Sequence, residues 1–179
     1  AFIFFTSDLN QYQLIESYFE GNKVLRCESP IMGVGLENIA ITGQGIFDGN
    51  GSAWRPVKIG KMTAGQWQEL VQSGGVLSKD GKIWYPSEGA RTADEEKNKL
   101  PKIPTVENMA PYKQALRPVM VSLVNCKKLL LDGVTFQNSP AWNLNPLMCE
   151  HLTLRILTVR NPWYSQNGDG LDIESCRIG

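Results

Sequence analysis

The chain has 179 residues, 42% hydrophobic and 20% charged, a balance that supports a sizeable core and excludes a largely disordered polypeptide. Lys plus Arg number 18 and Asp plus Glu number 18, so the net charge is zero. This argues against a nucleic-acid binder driven by bulk positive charge, against a polybasic membrane anchor and, with no apolar run of about 18 residues, against a membrane-spanning helix.

The first five residues, Ala1-Phe2-Ile3-Phe4-Phe5, read as an apolar strand, too short and without the basic start of a leader peptide. Residues 36–48 then alternate apolar and polar positions at Ile39, Ile41 and Ile46, with a turn at Gly43 and a corner at Asp48. Residues of about 52–116 break this rhythm. Within them, Met62 to Val71 reads as a short helix with Thr63 as its N-cap and Gly74-Gly75 as its stop. Lys79-Asp80-Gly81-Lys82 is a turn, and Thr92 to Lys97 reads as a second short helix before Pro101. The segment is expected to be a surface insertion without its own core. The sharper alternative makes it one wall of a cleft, carried by Trp54, Trp67, Trp84 or Tyr85.

After the insertion the rhythm returns as a repeat. Residues 125–138 align with 148–161 at an offset of 23, placing Cys126 on Cys149, Leu129 on Leu152, Leu131 on Leu154, Phe136 on Val159 and Asn138 on Asn161. Residues 36–48 form an earlier copy, with Ile46 in the place of Phe136 and Asp48 in that of Asn138. Cys176 follows Cys149 by 27 residues, so four residues are inserted in the last copy. Repeated period-two strands without crossover helices predict an all-β, right-handed parallel β-helix with a partly helical insertion. Like residues then stack in ladders about 4.8 Å apart.

The last copy contains Asn167-Gly168-Asp169-Gly170-Leu171-Asp172-Ile173-Glu174. Alternation turns Leu171 and Ile173 inward and Asp172 and Glu174 outward, with Asp169 just before the strand. Three carboxylates on one short segment raise one another's proton affinity, which suits acid and base work. The same residues also suit an ordinary solvated strand face behind a turn. His151, the single histidine, falls in an exposed slot beside Glu150 and reads as a surface residue. Cys126, Cys149 and Cys176 read as stacked, buried free thiols, and the absence of a C-x-x-C leaves a zinc site without support. Trp142 and Trp163 either stack on sugar rings or cap the core at a corner. Asn138, Asn161 and Asp48 read as corner residues that satisfy backbone groups.

Asn138-Ser139-Pro140-Ala141-Trp142-Asn143-Leu144-Asn145-Pro146, followed one coil later by Asn167-Gly168-Asp169-Gly170-Leu171-Asp172-Ile173-Glu174-Ser175-Cys176, resembles glycoside hydrolase family 28, the polygalacturonases, and in particular its bacterial exo-acting-like branch. Gly43-Gln44-Gly45-Ile46-Phe47-Asp48-Gly49-Asn50-Gly51 and Arg117-Pro118 also fit, so the resemblance covers nearly the whole chain outside the insertion. It implies a pectin-lyase-like solenoid, inverting hydrolysis of α-1,4-galacturonosyl linkages, no metal or other cofactor, and export to the periplasm or exterior. The partner would be a pectic polysaccharide or oligogalacturonide, with no nucleic acid and no membrane. Asp169 maps to the family's first catalytic aspartate and Asn167 to its motif partner. Asp172, Trp142 and Asn145 are the further substrate-binding candidates. Gly168 stands where Thr is usual, and Asn145 where many members have His.

The family's Asp-Asp pair, Gly-His-Gly and Arg-x-Lys motifs do not occur in this sequence, which ends at Gly179 inside an expected coil. The chain is therefore expected to be a partial β-helix domain over 1–179, cut at both ends, lacking C-terminal coils and inactive by itself. Two rivals remain: a calcium-dependent pectate lyase using Asp169, Asp172 and Glu174, and a non-catalytic carbohydrate-binding or structural β-helix.

Overall fold

The computed structural model describes residues 1–19 and 22–177; the expected coil position of Gly179 lies outside the described residues. Alternating apolar residues build three parallel sheets, and each coil adds one strand to each. The first sheet stacks Phe2–Phe4, Ile46–Asp48, Thr135–Gln137 and Thr158–Arg160. A second stacks Ile31–Val34, Val121–Val124 and Leu144–Leu147. The third stacks Glu37–Thr42, Lys127–Asp132 and Glu150–Arg155. A further coil begins with parallel bridges from Leu171 to Leu144, Glu174 to Leu147 and Arg177 to Glu150. This is the expected parallel β-helix.

The 23-residue offset appears directly as pairing, with Leu129 opposite Leu152, Leu131 opposite Leu154 and Phe136 opposite Val159. The earlier copy needs a correction of one residue. Ile39 and Ile41 do pair with Leu129 and Leu131, but Phe47, not Ile46, lies opposite Phe136, and Asp48 lies opposite Gln137. The cause is one extra residue in the Gly43-Gln44-Gly45 turn relative to Gly133-Val134. Phe5, Phe47 and Phe136 then form a stacked column, with ring centroids 6.4 and 5.2 Å apart. Phe136 is fully buried, together with Val121, Leu129, Leu131, Leu144 and Cys149. Burying one such side chain contributes about 1.5–3 kcal/mol.

The corners also repeat. Gly35, Asn125, Met148 and Ser175 all adopt positive φ immediately before the sheet changes direction. Asn38, Lys128 and His151 do the same one residue into the third sheet, so exposed His151 is a backbone bend residue of a ladder. At Gly133, φ is 77° and an added Cβ would stand 2.6 Å from the Gly43 carbonyl oxygen of the neighbouring coil, so only glycine fits there.

The insertion folds more richly than the sequence predicts. Its helix Ala64–Gln72 carries the expected Thr63 cap, completed into a capping box by Gln66. Its second helix runs over Glu88–Glu95, earlier than expected, because Ser87 caps it by accepting from the Ala90 N–H. A small antiparallel sheet of Val57–Lys58, Ile83–Tyr85 and Val76–Leu77 was not foreseen. Trp54, Trp84 and Tyr85 are buried and Trp67 is half-buried; Trp54 packs edge-on against Tyr12 at 5.0 Å, and Trp54 and Tyr85 line a small opening with Arg117 and Gln166. Arg55, 1% exposed, ties the segment to the coil by donating to the Ser139 carbonyl and Asn138 Oδ1, each at 2.6 Å.

A second unforeseen element is the antiparallel hairpin of Leu14–Phe19 and Asn22–Cys27. Phe19 stacks on Trp142 at 4.1 Å, and the Arg26 guanidinium lies 3.9 Å over the other ring, that of Phe19. Arg26 also donates to the Arg117 carbonyl.

Candidate active site

The four residues added between Cys149 and Cys176 enlarge one corner of the last coil. Asn161 shapes its base by accepting from the Ser139 N–H at 3.0 Å and donating to the Gly168 carbonyl. The loop then rejoins the ladder firmly. The Asn143 N–H donates to the Asp169 carbonyl at 2.9 Å, the Asp172 N–H to Leu144 at 2.9 Å, and the Glu174 N–H to Pro146 at 3.0 Å. Asp169, Asp172 and Glu174 are thus fixed by parallel pairing to the coil beneath.

Asp169 is exposed and borders an opening of about 500 Å³ together with Asn161, Trp163, Ser165, Asn167 and Gly170. Asn167 holds φ at 53°, and its Oδ1 accepts from Arg117 at 3.1 Å. Trp163 is 65% exposed, stands edge-on to Tyr164 at 5.1 Å, and donates its indole N–H to the Lys61 carbonyl at 2.8 Å. A flat, exposed ring beside a polar opening suits the apolar face of a sugar.

Asp172 and Glu174 do project outward, in the columns of Ser122–Asn145 and Val124–Leu147. The exposures nevertheless run opposite to the expectation. Leu171 and Ile173 continue the core columns but are 43% and 39% exposed, because no described strand lies beyond them, whereas Asp172 and Glu174 are half-buried. Burial raises the Asp172 carboxyl to about 6, and the charges of Asp169 and Glu174 add to the rise. Its Oδ2 is buried without a hydrogen-bond partner among the described residues. Mutual repulsion of the three carboxylates was legible in the sequence; the larger contribution from burial was not.

Asn145 is 3% exposed and donates to the Asp172 carbonyl and Glu174 Oε1, each at 3.0 Å. It therefore braces the acidic strand from beneath and presents no free surface. Trp142, a substrate-binding candidate, takes its other alternative, the corner. It is 7% exposed with a face covered by Phe19, so it packs a corner and offers no platform to a sugar.

Arg117 is a positioning residue that motif spacing alone does not reveal. Its guanidinium donates to the Pro140 and Gln166 carbonyls, each at 2.9 Å, and to Asn167. It ties the Asn-Ser-Pro corner to the Asp169 loop, and burial lowers it to about 10. Cys126 and Cys149 are buried and Cys176 is half-buried; all are free thiols. Among the described residues, no three His, Cys, Asp or Glu side chains are grouped to hold a metal ion.

The sequence model for glycosyl hydrolases family 28 matches residues 58–178, two thirds of the chain and the whole of this site. The chain belongs to glycosyl hydrolase family 28. A Vitis vinifera protein described as "Probable polygalacturonase" is 24% identical over 182 residues, covering 98% of this chain and 27% of the relative. The solved family 28 folds agree. The hyperthermoactive exopolygalacturonase of Thermotoga maritima superposes with a TM-score of 0.62 at 24% identity, over 99% of this chain and 38% of that one. The Yersinia enterocolitica family 28 exopolygalacturonase gives 0.58 at 14% identity, over 96% of this chain and 30% of that one. The chain thus spans about a quarter to two fifths of the length of these relatives.

Proposed function

We propose that this chain is a partial β-helix domain of a polygalacturonase-type enzyme that hydrolyses α-1,4 linkages between galacturonic acid units with inversion. The observation that carries the reading is exposed Asp169 at the rim of an opening of about 500 Å³, beside exposed Trp163. Asp169 would activate the attacking water as a general base. Asn167, held by Arg117, would orient the polymer, and Asp172 would meet a substrate hydroxyl or the same water. Inversion requires an acid on the opposite side of the scissile bond, with the two carboxyls about 6.5–9.5 Å apart. Asp169, Asp172 and Glu174 all project from one continuous segment, so the acid comes from outside these residues. The 179 residues by themselves then bind substrate without turning it over. A polymeric pectic substrate places the enzyme in the periplasm or outside the cell.

The test is a reducing-end assay on polygalacturonate, using this chain and the complete product of its gene. The complete product is expected to be active, with kcat reduced on the order of 100- to 10,000-fold by Asp169→Asn. Undiminished kcat in that variant, or real turnover by the 179 residues, contradicts the assignment. Calcium-dependent release of an unsaturated, ultraviolet-absorbing product selects a lyase instead.

A further inference from the structure

A second opening, of about 230 Å³, lies beside the first and shares Ser165 and Asn167 with it. Its other lining residues are Lys58, Lys61, Tyr164 and Gln166, so two basic residues border it and no acidic residue does. Both lysines belong to the insertion: Lys58 ends the strand Val57–Lys58, and Lys61 ends the short 3-10 turn Ile59–Lys61. Both are exposed, and neither takes part in any ion pair found among the described residues.

The backbone of the same turn holds the exposed indole, since the Lys61 carbonyl accepts from Trp163. The lysines and the exposed indole therefore belong to one junction between the insertion and the Asp169 loop. Two lysines without an ion-pair partner among the described residues, at the edge of one opening, suit an anion there, and in a polymer of uronic acids every sugar carries one carboxylate.

We infer that Lys58 and Lys61 form a carboxylate-binding subsite for the sugar next to the one on Trp163, so that the insertion sets the preference for unesterified polymer. This inference rests on the galacturonide reading above. It gives the insertion a part in recognition through its lysines, while Trp54, Trp84 and Tyr85 are buried.

The test is calorimetric titration of the chain with trigalacturonate and with its fully methyl-esterified form. The double variant Lys58→Ala/Lys61→Ala is expected to bind trigalacturonate about tenfold more weakly and the ester unchanged, so that the preference for the acid collapses. Trp163→Ala is expected to weaken both ligands alike. Both lysines are exposed, so melting temperature should stay at the wild-type value and serve as the folding control. Equal weakening of acid and ester, or wild-type affinity for the acid, overturns the subsite while leaving the galacturonide reading in place. Failure of the wild-type chain to bind either ligand overturns both.

Discussion

Replacing Asp172 with Asn removes an ionised group that the fold holds at a cost. The carboxyl titrates near 6 because burial disfavours its charge and Asp169 and Glu174 repel it. A rise from the ordinary 3.8 to about 6 corresponds to about 3 kcal/mol if nothing screens it. Asp172 keeps one side open to solvent, so screening reduces the cost to about 1–2 kcal/mol. The sign follows from proton uptake. Between pH 4 and 6 the folded chain holds a proton that the unfolded chain has released, so stability falls as pH rises through this window. Above pH 6 the full cost is present, and below pH 4 it vanishes. Asp172→Asn should therefore raise Tm by roughly 3–6 °C at pH 7.5 and by almost nothing at pH 3.5. Thermal melts followed by circular dichroism at both pH values decide the matter. A variant that loses stability at pH 7.5, or gains equally at both values, refutes the argument.

Other outcomes follow from the same contacts. Arg117→Ala leaves the Pro140 and Gln166 carbonyls and Asn167 without their donor, and should cost about 2–4 kcal/mol in denaturant melts. Arg117→Lys should recover only part of that, since one ammonium cannot reproduce the forked geometry. Burial lifts the Cys27 thiol to about 12 and the Cys149 thiol to about 11, so a thiol reagent at pH 8 should label half-buried Cys176 first and reach the others only after unfolding. Mass mapping of the labelled peptides reads that order.

The repeat itself made the coil legible. The spacing of Leu129, Leu131 and Phe136 is a statement about which backbones pair, and parallel pairing turns it into stacking. The misplaced Ile46 marks the limit of that logic, because a turn with one extra residue shifts register without altering the apolar pattern. At the site, the four-residue excess before Cys176 already locates an enlarged corner, and Trp163 is recoverable from it. Trp142 and Asn145 were less legible. Their parity reveals a face but not that the Phe19 hairpin covers one and that the other is sealed at 3% exposure. Lys58 and Lys61 carry no local signal at all, since they approach Asn167 only through the folding of the insertion.

The most direct measurement is a crystal of this chain soaked with trigalacturonate. A sugar ring lying on Trp163, with an adjacent ring within hydrogen-bonding reach of Asp169, is the expected result. Saccharide density confined to another surface, with the opening beside Asp169 empty, contradicts the account.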